Sequence, residues 1–479
     1  MTHDSHQSEW AGGHGRAGPA CGRGTVLIVT LGILIVLAAM VLVLAHSMRV
    51  EGLCSANRLA AQQAAAVEQG AVQYVLASVD GCGGHPPADA DVLAGGAQVG
   101  DGAFWLLRPD REDDRQYAFG LADEGGKVNL NTVDEATLAK LPDMTVGFAP
   151  SILDWRDADD EVTGGGAESE YYLLLADPYA CKNAPIETVE ELFLVQHASR
   201  DLLFGEDANR NGVLDENEND ADGADPPDNR DGHLDRGIID LVTVYSRTPQ
   251  SSGRGEGDQQ VNVNQTNPPQ LAKALADGVD EERLPTVVTR AMQGRPFKNV
   301  FDFYYRTGLT SEEFHAVADR LTTQSGNQTP QGLLNVNTAC RDALACLPEL
   351  DEADAAALVA SRPSTDTATD STGDEEEATD ADSLAWIVDV LSQEKAVAIG
   401  SAITTTSYQF SADIVAVSGD GRAFRRCRIV VDAAESPPRV LYRQDLTHLG
   451  WPLSTDIIDL LRSGTPVDEV LDATYQEVQ

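Results

Sequence analysis

The segment DANRNGVLDENE, residues 207–218, carries oxygen-bearing side chains at the spacing of a twelve-residue calcium loop. Asp207, Asn209 and Asn211 occupy positions 1, 3 and 5, Gly212 makes the sharp turn at 6, and Val213 offers its carbonyl at 7. Asp215 at position 9 and Glu218 at 12, able to bind through both oxygens, complete a set of hard donors suited to calcium. Neutral and carbonyl donors at three of these positions imply modest affinity and a structural role at extracellular calcium levels. A second loop follows in NRDGHLD, residues 229–235, with Asp231, Gly232 and Asp235 in the same register. Pro227 falls at its first position and removes a ligand, for which Asp228 or Asp225 would substitute, so the second metal set is Asp228, Asn229, Asp231, His233 and Asp235. Phe204 and the acidic stretch that follows predict a surface excursion for the first loop.

Asp154, Asp157, Asp159, Asp160, Glu161, Glu168 and Glu170 cluster around Trp155. They are read as a capped, solvated turn, with a further cation site as the alternative. No pattern of nucleophile and base accompanies these carboxylates, three of the nine histidines fall within residues 1–24, and no Gly-rich phosphate loop is present. An enzyme is therefore not expected.

The elements that must position these loops lie in a chain of 479 residues with 42% apolar content, enough for several domains with real cores. Its 77 acidic against 34 basic residues give a net charge of -43, which repels a phosphate backbone. Arg422, Arg425, Arg426 and Arg428 form the densest basic group, and on an alternating stretch they read as a solvated strand face. Beyond Cys21 the six cysteines contain no CxxC, so a zinc ribbon or redox motif is unsupported and their pairing cannot be read.

Residues 25–45, TVLIVTLGILIVLAAMVLVLA, are 21 without a charge. At about 1.5 Å per residue such a helix covers roughly 30 Å, the thickness of a bilayer core. Apolar residues then recur at three- or four-residue steps through Leu53, Ala56, Leu59 or Ala60, Ala64, Val67, Ala71, Tyr74 and Val75, which predicts one helix to about Val79. Short alternating runs at AFWLLR and QYAFGLA, and again at YQFSADIVAV, RAFRRCRIVVDA and RVLYRQ, predict antiparallel strands around a helical middle.

That middle repeats itself. KVNLNTVDEATLAKLP, QVNVNQTNPPQLAKAL and LLNVNTACRDALACLP begin at Lys127, Gln260 and Leu333, and each returns to a related ending at TVYS, TTQS or TTTS. The Asn pairs 129 and 131, 262 and 264, and 335 and 337 are expected to bond neighbouring backbone and cap the following helix. The acidic run at residues 364–382 reads as a solvated linker.

Arg23-Gly24 ahead of the apolar run is similar to the class III leader of type IV pilins and pseudopilins. In those families a prepilin peptidase cuts after the glycine, here Gly24, leaving Thr25 as the mature N-terminus. The motifs DEGGKVNLNT, DWRDADDEVTGGGAESEYY and KNAPIETVEELFLV, with the closing strands SYQFSADIVAV and RRCRIVVD, resemble the general secretion pathway protein K family. These are large minor pseudopilins of type II secretion. The resemblance implies an α+β fold: a pilin-like long N-terminal helix packed on a small antiparallel sheet, with a large inserted helical domain of SAM-like or helix-hairpin-helix-like repeats. Its parts are a leader at 1–24, the membrane and amphipathic helix at 25–80, first strands at 81–122, the insert at 123–407, closing strands at 408–445 and a C-terminal tail at 446–479. It also implies a single pass through the inner membrane, the bulk of the chain in the periplasm, a position at the pseudopilus tip, and other minor pseudopilins and the prepilin peptidase as partners.

The repeats also resemble helix-hairpin-helix DNA readers, whose hairpins carry glycines. Here Leu141-Pro142-Asp143-Met144-Thr145 and Leu347-Pro348-Glu349-Leu350-Asp351 lack them, and acidic side chains stand in the third copy where phosphate would bind, so no nucleic acid partner is expected. The alternatives to the secretion subunit are a minor pilin of a type IV pilus and a membrane-anchored DNA-uptake receptor.

Overall fold

The computed structural model describes residues 22–87, 96–111, 113–221, 223, 226–248, 260–323, 332–363 and 383–477. The acidic run at 364–382, Asp225, the end of the second repeat at Ser325 and most of the leader lie outside the described residues.

Helix α1, Gly22–Val79, is one uninterrupted element. The chain divides into two units, Met1–Leu59 and Ala60–Gln479. In the first unit the large apolar side chains of α1, among them Leu27, Val29, Leu34, Leu42 and Leu53, are exposed. In the second unit Ala60, Ala64, Val67, Ala71, Val75 and Val79 form a buried stripe at helical spacing. Leu53 and Leu59, which the periodicity included in this stripe, are exposed instead.

The stripe packs on a seven-stranded antiparallel sheet built from β1 (Ala97–Val99), β2 (Gly102–Arg108), β3 (Ala118–Phe119), β4 (Ala122–Asp123), and three later strands. With β5 to β10 in the intervening segment, these later strands are β11 (Gln409–Val417), β12 (Phe424–Asp432) and β13 (Arg439–Asp445). The order is β1-β2-β11-β12-β13, with β3 beside β2 and β4 beside β11. Alternation along the strands sends Phe104, Leu106, Phe410, Ala412, Ile414, Ala416, Ile429 and Val431 to the α1 face. Ala103, Trp105, Leu107, Val415 and Val417 face the other way, onto Leu453, Ile457, Ile458, Leu461, Val467 and Val470.

Those last residues overturn the expectation of a tail at 446–479. Helices Thr455–Ser463 and Val467–Glu477 cover part of the second sheet face. The first starts on the Ser454 side chain, which accepts from the Asp456 amide, and stops at Gly464 in the left-handed conformation. Full burial of each aliphatic side chain here contributes about 1.5–3 kcal/mol relative to exposure.

Between β4 and β11 the chain leaves the sheet and forms a helical region around one continuous core running from Val128 to Ile403. Three two-residue parallel ladders close it: β5 (Val128–Asn129) with β6 (Val242–Thr243), β7 (Val261–Asn262) with β8 (Leu321–Thr322), and β9 (Leu334–Asn335) with β10 (Ile403–Thr404). The first Asn of each pair reaches across its ladder. Asn129 donates to Ser246, Asn262 to the Thr323 carbonyl and Asn335 to Ser407. The second Asn clasps backbone from further along: Asn131 exchanges two hydrogen bonds with Ile186, and Asn264 two with Phe297. Helix capping, also expected of these amides, falls elsewhere, on Asp134 and Asn267 in the first two copies.

Candidate functional sites

Residues 207–218 fold as a tight loop that follows the short helix Arg200–Phe204 and ends in the 3-10 turn Glu216–Glu218. Gly212 has a φ of +76°, the left-handed turn that position 6 demands. Asp207 accepts the amides of Asn211 (3.1 Å) and Gly212 (3.0 Å), curling the loop around its carboxylate. Glu218 reaches back from position 12, one oxygen accepting the Ala208 amide at 3.0 Å and the other the Asp215 amide at 3.1 Å. Asp215 accepts from the Asn209 (2.6 Å) and Asn211 (3.1 Å) side chains. Hydrogen bonds therefore tie the side chains of Asp207, Asn209, Asn211, Asp215 and Glu218 into one loop.

The loop is not the surface excursion that its sequence suggested. Asp207 is 5% exposed and Glu218 1%. Burial, with repulsion from Asp240, pushes Asp207 up to about 6, and burial with repulsion from Asp207 pushes Glu218 up to about 7. Two buried carboxylates that repel each other match a site completed by a cation. Arg236 donates to the Gly212 carbonyl, Asn211 donates to the Pro452 carbonyl at 3.1 Å, and Arg426 donates to the carbonyls of Asn209 (2.5 Å) and Arg210 (2.7 Å). Arg426 is fully buried and also pairs with Asp413 at 2.6 Å, which corrects the reading of the β12 arginines as a solvated face. Arg428 is likewise largely covered, 3.7 Å from Asp240, whereas Arg422 is exposed.

The second loop repeats the turn, with Arg230 and Gly232 at φ +53° and +82°. Asn229 accepts from the Asp231 amide and donates to Asp235, and Asp231 accepts from the His233 amide. Asp228 binds backbone with both oxygens, accepting the amides of Asp220, Ala221 and Arg230. The His233 ring lies beside Asp114, 3.4 Å away. Glu206 takes the place that Glu218 has in the first loop, accepting the Asn229 amide at 2.8 Å and the Asp235 amide at 3.3 Å. Glu206 was invisible to motif reading because it lies 21 residues before Pro227, outside the loop it closes.

In the acidic cluster near Trp155, Asp159, Asp160, Glu161 and Glu170 are exposed as in a solvated turn, whereas Asp154 and Glu168 are buried. Asp154 is 0% exposed and Glu168 2%. Trp155 packs against Tyr172 with ring centres 5.1 Å apart and donates to Glu191 at 2.9 Å.

The third repeat forms the two helices Arg341–Ala345 and Glu352–Ala360 around a tight hairpin. Glu349 sits at φ +60° and, in the first repeat, Asp143 at +53°, left-handed positions that favour glycine. Asp351 caps the second helix with its own carboxylate, accepting the Asp354 amide. Lys140 of the first repeat donates to the carbonyls of Ala345, Leu347 and Leu350. The hairpin thus holds one repeat to another.

Among known proteins, residues 127–203 match the family model described as type II secretion system (T2SS), protein K. No curated protein matches the chain. Among solved structures the chain is similar to one from the GspK-GspI-GspJ complex of the enterotoxigenic Escherichia coli type 2 secretion system. That likeness has 13% identity and a TM-score of 0.33, covering 83% of this chain and 98% of that one. The family match falls on the first ladder strand, the Asn129 and Asn131 clasp and the Trp155 cluster, the same stretch whose motifs carried the resemblance. Over residues 127–203 the chain is therefore similar to the type II secretion system protein K family.

Proposed function

We propose that this chain is a minor pseudopilin of type II secretion, a non-enzymatic structural subunit that spans the inner membrane once, keeps its bulk in the periplasm and sits at the pseudopilus tip beside other minor pseudopilins. The observation that carries the reading is α1. From Val26 to Leu44 its large apolar side chains are exposed on every side, Leu27 and Leu42 to 70%. So long an apolar band suits a bilayer core or a bundle of like helices, not water. The tip position rests on two features of this chain. Val29 would stand at mature position five, where the pilin-like resemblance puts a Glu that neutralises a neighbour's terminal amine. An unpaired charge inside an apolar bundle is costly, so a subunit lacking that carboxylate is suited to an end and not to repetition along a shaft. The chain between Asp123 and Gln409 also makes a large head, which would clash with copies of itself in a closely spaced array.

Calcium in the loop at 207–218 has a structural part in this reading, holding the helical region to β11 and β12 through Arg426. Processing supplies the direct test. N-terminal sequencing of protein from cells with an active prepilin peptidase is expected to begin at Thr25, and recovery of the intact leader would overturn this part of the proposal.

A further inference from the structure

Outside α1, seven of the ten exposed large apolar side chains among the described residues fall between Val146 and Leu194. Five of these, Tyr171, Leu173, Leu174, Phe193 and Leu194, lie on two short segments. Helix Ser169–Tyr172 buries Tyr172, and Leu173 and Leu174 just after it point outward, Leu174 to 86% exposure. The 3-10 turn Val189–Leu194 buries Val189 and Leu192 and leaves Phe193 and Leu194 outside.

The fold holds the two segments side by side. The Tyr179 hydroxyl donates to the Leu194 carbonyl at 2.7 Å, and its ring stacks on Tyr172 with centres 5.3 Å apart. Tyr171 meets Tyr172 edge-on at 5.2 Å, and the Tyr172 hydroxyl accepts the Gln196 amide at 3.1 Å. Val146, 97% exposed, borders them, since a Cβ on the next residue, Gly147, would lie 2.6 Å from the His197 ring. Single apolar side chains on a surface need no partner, but a cluster held in place by buried aromatic packing marks a contact surface.

Charge decides what fits it. Between Arg156 and Arg200 ten carboxylates stand against Lys182 as the only Lys or Arg. Lys182 pairs with Glu187 and Glu191, at 3.6 and 2.8 Å. Glu170 and Asp177, on either side of Tyr171–Leu174 in the chain, are exposed, as is Glu187. A second copy would bring the same carboxylates and another net charge of -43 to the contact, and an anionic lipid surface would be repelled as well. Apolar side chains among positive charges match both features of the face.

We propose that this face docks a segment of another protein in which apolar side chains are flanked by Lys or Arg. Leu174 and Leu194 supply apolar contact, while Glu170, Asp177 and Glu187 attract and orient the basic flanks. The inference rests on the helical region and does not depend on the tip position.

The test uses full-length protein in nanodiscs of neutral phosphatidylcholine, with empty discs as the reference for peptide that binds lipid. The probes are three fluorescent synthetic helices, one of Leu and Lys, one of Leu and Glu, and one of Ser and Lys. By anisotropy the Leu/Lys helix is expected to bind the protein saturably beyond the empty discs, and the other two about tenfold or more weakly. Leu174→Ser/Leu194→Ser should weaken the Leu/Lys helix by about tenfold or more, with the melting temperature unchanged because both side chains are exposed in the free protein. Leu460→Ser, at an exposed position on the helix Thr455–Ser463, should leave binding as it was. Equal binding of the Leu/Glu or Ser/Lys helix, or binding unchanged in the double variant, would overturn the proposal. So would sedimentation of the protein as a dimer that the double variant dissolves, which would give the face to a second copy.

Discussion

Chelating calcium is expected to lower the melting temperature of the full-length protein in detergent by about 5 °C, with Glu218→Gln removing the larger part of that response. An ion that binds only the folded state at roughly a hundred times its dissociation constant adds about 2.7 kcal/mol, and a chain of this size shifts by only about 2 °C per kcal/mol. Glu218 should dominate because its loop is tied to so much else. Arg426 joins it to β12 and Asp413, Arg236 to the Asp110 carbonyl, and Asn211 to the carbonyl of Pro452. Gln keeps the shape of the side chain but loses the charge that a bidentate calcium ligand needs. Thermal melts with and without chelator, on both proteins, make the comparison; equal drops in both would count against the loop at 207–218.

Arg426→Ala should be the most damaging single substitution on the sheet. The guanidinium is fully buried, donates to Asp413 from Nε and Nη2, and holds the carbonyls of Asn209 and Arg210. Truncation leaves Asp413 without its counter-charge and two loop carbonyls without donors, a loss of about 3–5 kcal/mol. The partner change Asp413→Ala made together with Arg426→Ala should recover part of it, because no lone charge then remains. Arg422, which pairs with Asp420 at an exposed position, provides the control: its replacement by Ala should stay within about 0.5 kcal/mol. Denaturant melts of the three variants decide the matter, and a cost for Arg426→Ala no greater than for Arg422→Ala would refute the assignment.

Arg426 also shows where reading the sequence stopped. Alternation along RAFRRCRIVVDA correctly marked a strand, since period-two patterning is local. What covers each face is not local: the groups that bury Arg426 come from Asn209 and Arg210, more than 200 residues earlier. Helix α1 was legible to its last turn because 21 uncharged residues and then a helical stripe leave no other element to choose. The stripe was placed too early only because Leu53 and Leu59 fit its spacing while facing outward. The helices after Leu446 had their signals, Ser454 before TDIIDLLRS and Gly464 after it, yet were read as tail. The turn at 207–218 was legible because its residues sit within twelve positions, whereas the place of Glu206 and the burial of Glu168 depend on how the chain folds back.

Immunogold labelling of sheared or overproduced pseudopili, with antibody against the helical region at residues 123–407, tests the central claim most directly. If the chain is the tip subunit proposed above, with Val29 in place of the pairing carboxylate and a head too large to repeat, gold should lie at one end of each fibre. Gold spread along the shaft would contradict the account.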